Sequence, residues 1–358
     1  MKFKIILSLL VSAFLLSWKN AGTTQPRTVE LVFCLDLSAS TNGMLHDVRN
    51  RMWSIANGIL QQNELTDLKM GVVGYGRPSF GSADGYVKVI SNLTADFDKI
   101  NFSLHELSAF LEKGDQFVPD ALFETYKKIK WSKEEGTEKM VFLIGNGNPY
   151  TGPYNLYDVC EVFSKANIHI NTVYVNSGKA NADYRASYHK IAEMTNGKFS
   201  LIHSASRVEI NKNIALAKDL ISMSNSINNT FMFYSKDAAE RKKILFETDK
   251  NNLKMGVEYF RSRLEYKISR HYLQSCVDFD LTAYYMQHNK MPDYINYNAL
   301  HRSEGTYDYA LLEQAAIKKA EQRTQLNNQI HNLFFQVEKD KTVPADSLLD
   351  GFVLGSFQ

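Results

Sequence analysis

The chain has 358 residues, long for one domain and enough for two, or for one domain with a helical extension. Hydrophobic residues make up 44% and aromatics 12%, which permits a sizeable core. A formal charge of +2 is close to neutral and argues against nucleic acid or an anionic membrane surface as the main partner.

The N-terminus reads as a secretory signal peptide over residues 1–22. Lys2 and Lys4 precede the apolar run Ile5–Leu16, and small Ala21-Gly22 follow. The run is too short and wrongly flanked for a spanning helix; the alternative is a retained N-terminal anchor. No Cys stands at a lipidation position, and no other stretch is long and apolar enough to span a bilayer. The expected location is the periplasm or the exterior, with no stable membrane span once the signal is removed.

A polar linker, Thr23–Arg27, leads into alternating elements. Strands are expected at Val29–Leu35, Lys69–Tyr75, Tyr86–Ser91, Lys139–Ile144, Ile168–Val175 and Phe199–Ile202. Helices are expected at Leu45–Gln61, Ile100–Leu111, Asp120–Trp131, Leu156–Ala166 and Tyr184–Thr195. Such alternation predicts an α/β fold, a doubly wound, mostly parallel sheet of Rossmann-like type. In the first helix Leu45, Val48, Met52, Ile55, Ala56 and Ile59 recur at steps that define one face. Asn196-Gly197 ends a helix with residues that tolerate the left-handed conformation.

From about Asn228 the pattern becomes helical, and residues 227–358 are expected to form a helical C-terminal appendage. Val257, Phe260, Leu264 and Ile268 form one apolar stripe; Leu326, Ile330, Leu333 and Val337 form an a/d seam. These two helices are expected to pack on each other. Met291–Thr306 is turn-rich and suggests no element. The basic and aromatic cluster Tyr259, Arg261, Arg263, Tyr266, Lys267, Arg270, His271 and Tyr272 reads as the solvated flank of a helix rather than a nucleic-acid surface. Cys34, Cys160 and Cys276 include no Cys-x-x-Cys and read as buried free thiols.

The run Asp36-Leu-Ser38-Ala-Ser40 emerges where the apolar strand Leu31–Leu35 ends. Alternation in extended chain puts Asp36, Ser38 and Ser40 on one side. Three oxygen ligands on one short loop suit a hard cation such as Mg²⁺. Open α/β sheets bind ligands outside the carboxyl ends of their strands, where this run stands. There is no His-Glu-x-x-His, no Gly-x-Ser-x-Gly elbow and no phosphate-binding loop with Lys-Ser/Thr.

The run resembles the metal-ion-dependent adhesion site of von Willebrand factor type A (VWA) domains, Asp-x-Ser-x-Ser. Leu68–Gly76 looks like that family's second strand. Lys113-Gly-Asp-Gln-Phe-Val-Pro-Asp-Ala-Leu122 resembles the Gly-Gly-Asp-x-Pro-Glu loop of an exported bacterial branch. Met140-Val-Phe-Leu-Ile-Gly-Asn-Gly-Asn-Pro149 resembles its fourth strand, which usually ends Leu-Ile-Gly-Asp. Asn228-Asn-Thr230 looks like the junction to that branch's helical tail.

The resemblance covers about Arg27 to Ser226 and implies a VWA domain over residues 27–226 with an antiparallel third strand at the sheet edge. It implies Mg²⁺ or Mn²⁺ held by Asp36, directly or through water, and by Ser38 and Ser40, with Asp115 and Asn146 completing the set. Asn146 stands where the family usually has Asp; it keeps an oxygen but removes a negative charge. Asp115 compensates, or else caps the helix that begins near Pro119; Asp120 reads as first-turn electrostatics. An acidic side chain of a partner protein or surface ligand would complete the octahedron. The implied function is non-enzymatic binding or adhesion. The alternatives are a scaffold with a degenerate metal site and a metal-dependent phosphohydrolase. A haloacid-dehalogenase-like phosphatase also has Asp at this strand end, but needs a second acid where Ser38 stands.

Overall fold

The computed structural model of the chain describes residues 27–41, 44–62, 66–107, 112–176, 181–203, 214–304, 308–339 and 355–356. The signal peptide read at residues 1–22 lies outside them.

The most continuous apolar run of the sequence becomes the central strand, β1 (Thr28–Asp36), buried from Val29 to Asp36. A strand buried on both faces has no polar alternation, and parallel neighbours covered by helices are the usual solution. β1 pairs in parallel with β2 (Asp67–Tyr75) and β4 (Glu138–Gly145). The sheet has six strands in the order β3-β2-β1-β4-β5-β6, with β5 at Ile168–Asn176 and β6 at Phe199–His203. Only β3 (Val87–Thr94) runs antiparallel, at the edge, as expected. The strand order reverses on either side of β1, so its carboxyl end opens into the crevice where such sheets bind ligands.

Five helices flank this sheet: α1 (Met44–Gln62), α2 (Phe97–Glu106), α3 (Val118–Lys128), α4 (Leu156–Lys165) and α5 (Ala182–Met194). The second starts three residues before its expected position because Asp96 caps it, accepting from the Lys99 backbone N at 3.3 Å. It ends when Leu107 turns extended; residues 108–111, expected to continue it, lie outside the described set. The third begins at Val118, with Pro119 in its first turn. Alternation along β1 divides two cores. Leu31, Phe33 and Leu35 face α1 and α2, whereas Val32 and Cys34 face the layer of α3, α4 and α5.

The C-terminal part is helical: α6 (Ile214–Asn228), α7 (Ala238–Met255), α8 (Val257–Lys267), α9 (Arg270–Cys276), α10 (Leu281–His288), α11 (Tyr297–Glu304) and α12 (Tyr309–Lys339). α11 falls within the stretch for which the sequence suggested no element. All of these helices but α11 share one apolar cluster with the α1 face of the sheet, and Leu300 of α11 packs in a separate cluster with Leu281 of α10 and Leu312 and Ala316 of α12. The expected pairing of α8 with α12 is not the main contact. α8 packs chiefly on α1, and α12 on α10 and α6. α1 accounts for the difference, since it turns side chains toward the tail as well as the sheet. Trp53 Nε1 donates to Asn252 Oδ1 at 2.9 Å, and Asn57 Nδ2 to Ser262 O at 2.9 Å. The α12 seam is nonetheless buried at Ile330 and partly at Leu326 and Leu333; the Val337 side chain lies outside the described residues.

The basic and aromatic cluster is a solvated flank only in part: Arg270 is exposed and Tyr259 and Arg261 are half-buried, but the rest lies inside. Arg263 and Lys267 have no side-chain exposure, and Tyr266, His271 and Tyr272 are buried. Arg263 Nη2 lies 2.8 Å from Asp98 and its Nε 3.3 Å from Asp249; Lys267 Nζ lies 2.6 Å from Asp249. Two cations thus face two carboxylates, which is the condition for burying them at all. Burial pushes Asp98 up to about 6 even beside Arg263. Asp249 is held below the ordinary range because Lys267 and Arg263 outweigh its burial.

All three cysteines are buried and in no disulfide, and burial lifts the Cys34 and Cys160 thiols to about 12. Among the described residues no helix is long and apolar enough to cross a membrane.

Candidate metal centre

Three loops meet at the carboxyl end of the central strands, and backbone bonds join them. Leu37 N donates to Tyr75 O at 2.9 Å, carrying the β1–β2 ladder one residue past the strand. Ala39 N donates to Glu112 O at 2.8 Å, so the Asp36 loop lies beside the loop that precedes α3. Phe117 in turn bridges to Asn148, beyond β4. Thr41 Oγ1 reaches Asp36 O at 2.9 Å and Ser38 O at 3.0 Å, which closes the turn Ala39–Thr41.

Asp36 is fully buried at this junction. Its Oδ1 accepts from Ser38 N at 3.0 Å, and Asn146 N approaches Oδ2 at 3.5 Å. Burial raises its carboxyl to about 6, against the hydroxyl and amide of Ser38 and the amide of Asn146. The neighbouring loops must come this close without side chains in the way. A Cβ on Gly145 would lie 2.5 Å from Asp36 Cβ, and Gly76, at φ +82°, would bring one 3.2 Å from Asp36 Oδ1. Behind the carboxylate, the Tyr75 and Tyr188 hydroxyls are 3.4 Å apart, and burial keeps both protonated.

The structure brings Asp36, Ser38 and Asn146 together. Asn146 Nδ2 donates to Val175 O at 3.3 Å, which ties the residue to β5. The Ser40 side chain lies outside the described residues, though its backbone sits in the closing turn. Asp115 is exposed and lines a surface cavity of about 320 Å³ with Pro78, Tyr86, Lys113 and Gly114. The side chain of that loop which touches Ser38 is the next one: Gln116 Nε2 donates to Ser38 Oγ. Neighbouring residues of an extended segment face opposite ways, so Asp115 outward and Gln116 inward are one fact. A lone Gln after Gly-Asp carries no motif weight, so the sequence does not mark it. Asp120, in the first turn of α3, packs against Gly85 and Gly152, where an added Cβ would meet its carboxylate.

Among the described residues no three His, Cys, Asp or Glu side chains gather in a metal-holding group. The side-chain oxygens that the structure places together are the Asp36 carboxylate and the Ser38 hydroxyl, with Gln116 reaching Ser38 through its Nε2 and Asn146 approaching Asp36 through its backbone N. They are hard donors of the kind Mg²⁺ and Mn²⁺ prefer. They carry only one formal charge, so they fit such an ion in kind while attracting it weakly. Arg77, whose Nε donates to Leu37 O at 3.0 Å, is buried against the same loop.

No family model and no curated protein matches this chain. Solved structures similar to it include the SpRpn10 VWA domain, at 15% identity, covering 51% of this chain and 90% of that one, with a TM-score of 0.38. The pilus adhesin SpaC from Lactobacillus rhamnosus GG, in its open conformation, is 11% identical over 50% of this chain and 28% of that one, with a TM-score of 0.40. Proximal thread matrix protein 1 from the mussel byssus, with a zinc-occupied MIDAS motif, is 16% identical over 51% of this chain and 42% of that one, with a TM-score of 0.35.

Proposed function

We propose that this chain, whose sheet and flanking helices have the von Willebrand factor type A fold, is an exported, non-enzymatic binding protein that engages its ligand through a divalent-metal site at Asp36. Residues 27–226 form the VWA domain in this reading and 227–358 the helical region. The signal peptide directs the chain to the periplasm or the exterior. The observation that carries the proposal is the buried Asp36 carboxylate at the carboxyl end of the central strand, within a junction of three loops.

Asp36, Ser38 and Ser40 would hold Mg²⁺ or Mn²⁺, with Asn146 and a residue of the loop before α3, Asp115 or Gln116. When bound, the ion supplies a docking point for an acidic side chain of a partner protein or surface ligand. Asp36 contributes the negative charge, and its burial keeps that charge from being screened by solvent. The bonds from Ala39 to Glu112 and from Phe117 to Asn148 make a shift of one loop a shift of all three. A second reading, a scaffold whose metal site is degenerate, is favoured by the single carboxylate at the junction.

Calorimetry with Mn²⁺ and Mg²⁺ separates the two. Weak binding is expected, lost in Asp36→Asn and tightened about tenfold, or 1.4 kcal/mol, in Asn146→Asp, which restores a carboxylate. Binding by Asn146→Asp alone would establish the degenerate scaffold. Identical binding by the parent and both variants would place the ion elsewhere.

The absence of a second acid at Ser38 gives a further expectation. With Mg²⁺ present the chain should release no phosphate from generic phosphoesters. Turnover above background that disappears in Asp36→Asn would overturn the binding reading in favour of a phosphohydrolase.

A further inference from the structure

The helical C-terminal part holds a second cavity, of about 230 Å³, between α6, the α8–α9 corner and α12. Its lining mixes apolar and cationic side chains, Phe231 and Leu273 with Lys267, Arg270 and Arg323, and Asn327.

Arg323 is 5% exposed. Its Nε donates to Thr230 Oγ1 at 2.7 Å and its Nη1 to Asp280 Oδ2 at 2.6 Å, and the guanidinium sits 4.2 Å over the Phe231 ring. Its Nη2 is buried and has no hydrogen-bond partner. One turn further along α12, the side-chain amide of Asn327 also has a buried atom, Oδ1, without a partner. Residues four apart on a helix face the same way, so both orphans belong to one wall of the cavity. A buried donor without an acceptor costs about 1–3 kcal/mol, and a ligand acceptor would recover it.

The charge around the cavity defines the ligand's sign. Asp280 is engaged by Arg323 and Asp249 by Lys267, so the buried acids are already neutralised. Arg270 is exposed at the rim and has no ion-pair partner among the described residues. The surplus is positive. An inorganic anion would satisfy Arg323 but leave the Phe231 and Leu273 wall against water. A short carboxylate with an apolar tail fits both kinds of side chain, and Asn327 can present its amide N–H to the second carboxylate oxygen by turning half a revolution.

We propose that this cavity binds a small organic monocarboxylate, its carboxylate on Arg323 Nη2 and Asn327 and its apolar tail on Phe231 and Leu273. This site is separate from the Asp36 junction and independent of any metal there.

The test is calorimetry of the full chain in EDTA, which removes carboxylate binding through a divalent ion. The probes are acetate, butanoate, hexanoate and benzoate, with inorganic phosphate and hexylammonium as contrasts. Saturable binding of butanoate, hexanoate or benzoate is expected, tighter than acetate, with none for hexylammonium or phosphate. Arg323→Lys, which keeps a charge for Asp280 but removes Nη2, should weaken it at least tenfold. Arg270→Glu, a surface change that leaves the core intact, should weaken it several-fold, and Leu273→Trp should fill the cavity and abolish it. Circular dichroism of each variant checks that the fold persists. No carboxylate binding in EDTA would overturn the proposal. Equal binding of phosphate, or affinities unchanged in Arg323→Lys and Arg270→Glu, would do the same.

Discussion

Replacing Arg263 with alanine should lower the stability of the protein by about 3–5 kcal/mol, the usual result of removing one partner from a buried ion pair. Arg263 has no side-chain exposure, lies 2.8 Å from Asp98 and 3.3 Å from Asp249, and stacks 4.6 Å from the Trp53 ring. It therefore joins α8 to α2 and α1, and its loss leaves the Tyr272 hydroxyl, at 2.9 Å, as the hydrogen-bond donor to the Asp98 carboxylate among the described residues. The midpoint of urea unfolding should fall with little change in slope.

The pH dependence sharpens this test. Asp98 is pushed up to about 6 by burial, so the folded state takes up its proton before the unfolded chain does. A carboxyl raised in this way costs stability above its folded pKa and regains it on acidification. Without Arg263 the carboxyl rises further, so the penalty should begin to shrink above pH 6 and go on shrinking until the unfolded carboxyl titrates near about 4. The double variant Arg263→Met, Asp98→Asn should recover much of the loss, because a well-packed neutral pair can replace a buried ionic one. A loss below about 1 kcal/mol in Arg263→Ala, the level of exposed pairs, would mean that this network is hydrated and does not hold the tail.

Gly145→Ala should be the most damaging small change at the candidate metal centre. Where the backbone permits alanine, such a substitution ordinarily stabilises by about 0.4–1 kcal/mol. Contact reverses the sign here. The new Cβ would lie 2.5 Å from Asp36 Cβ and 2.6 Å from Tyr75 Oη, so β4 must move off β1 at the end that carries Asp36. Overpacking of this kind costs about 1–3 kcal/mol. The thermal midpoint should fall, and Mn²⁺ binding should weaken as much as in Asp36→Asn. A midpoint equal to or above the parent's would show that the two strands stand further apart at this end.

Much of the fold is legible in local pattern. The apolar run Leu31–Leu35 and the alternation of strand and helix periods lead to the parallel sheet, and the polar alternation of the third strand allows the antiparallel edge that the resemblance implies. Each depends on side-chain periodicity along one segment, which the order of residues expresses directly. Parity places Asp36 and Ser38 on one side, whereas Asn146 beside them is what the resemblance implies, because it sets the fourth strand next to the first.

Other features depend on residues far apart in the chain. Nothing near Arg263 and Lys267 marks them as buried; the carboxylate that admits Arg263 to the core stands 165 residues away. That Gln116 rather than Asp115 touches Ser38 depends on how the loop before α3 lies against the Asp36 loop, through the backbone bond from Ala39 to Glu112. The partner of the α12 seam likewise depends on α1 having already covered the stripe of α8. Periodicity tells a segment which face to bury. The surface that buries it is chosen by competition among all the apolar and charged faces of the folded chain, and that competition exists only in three dimensions.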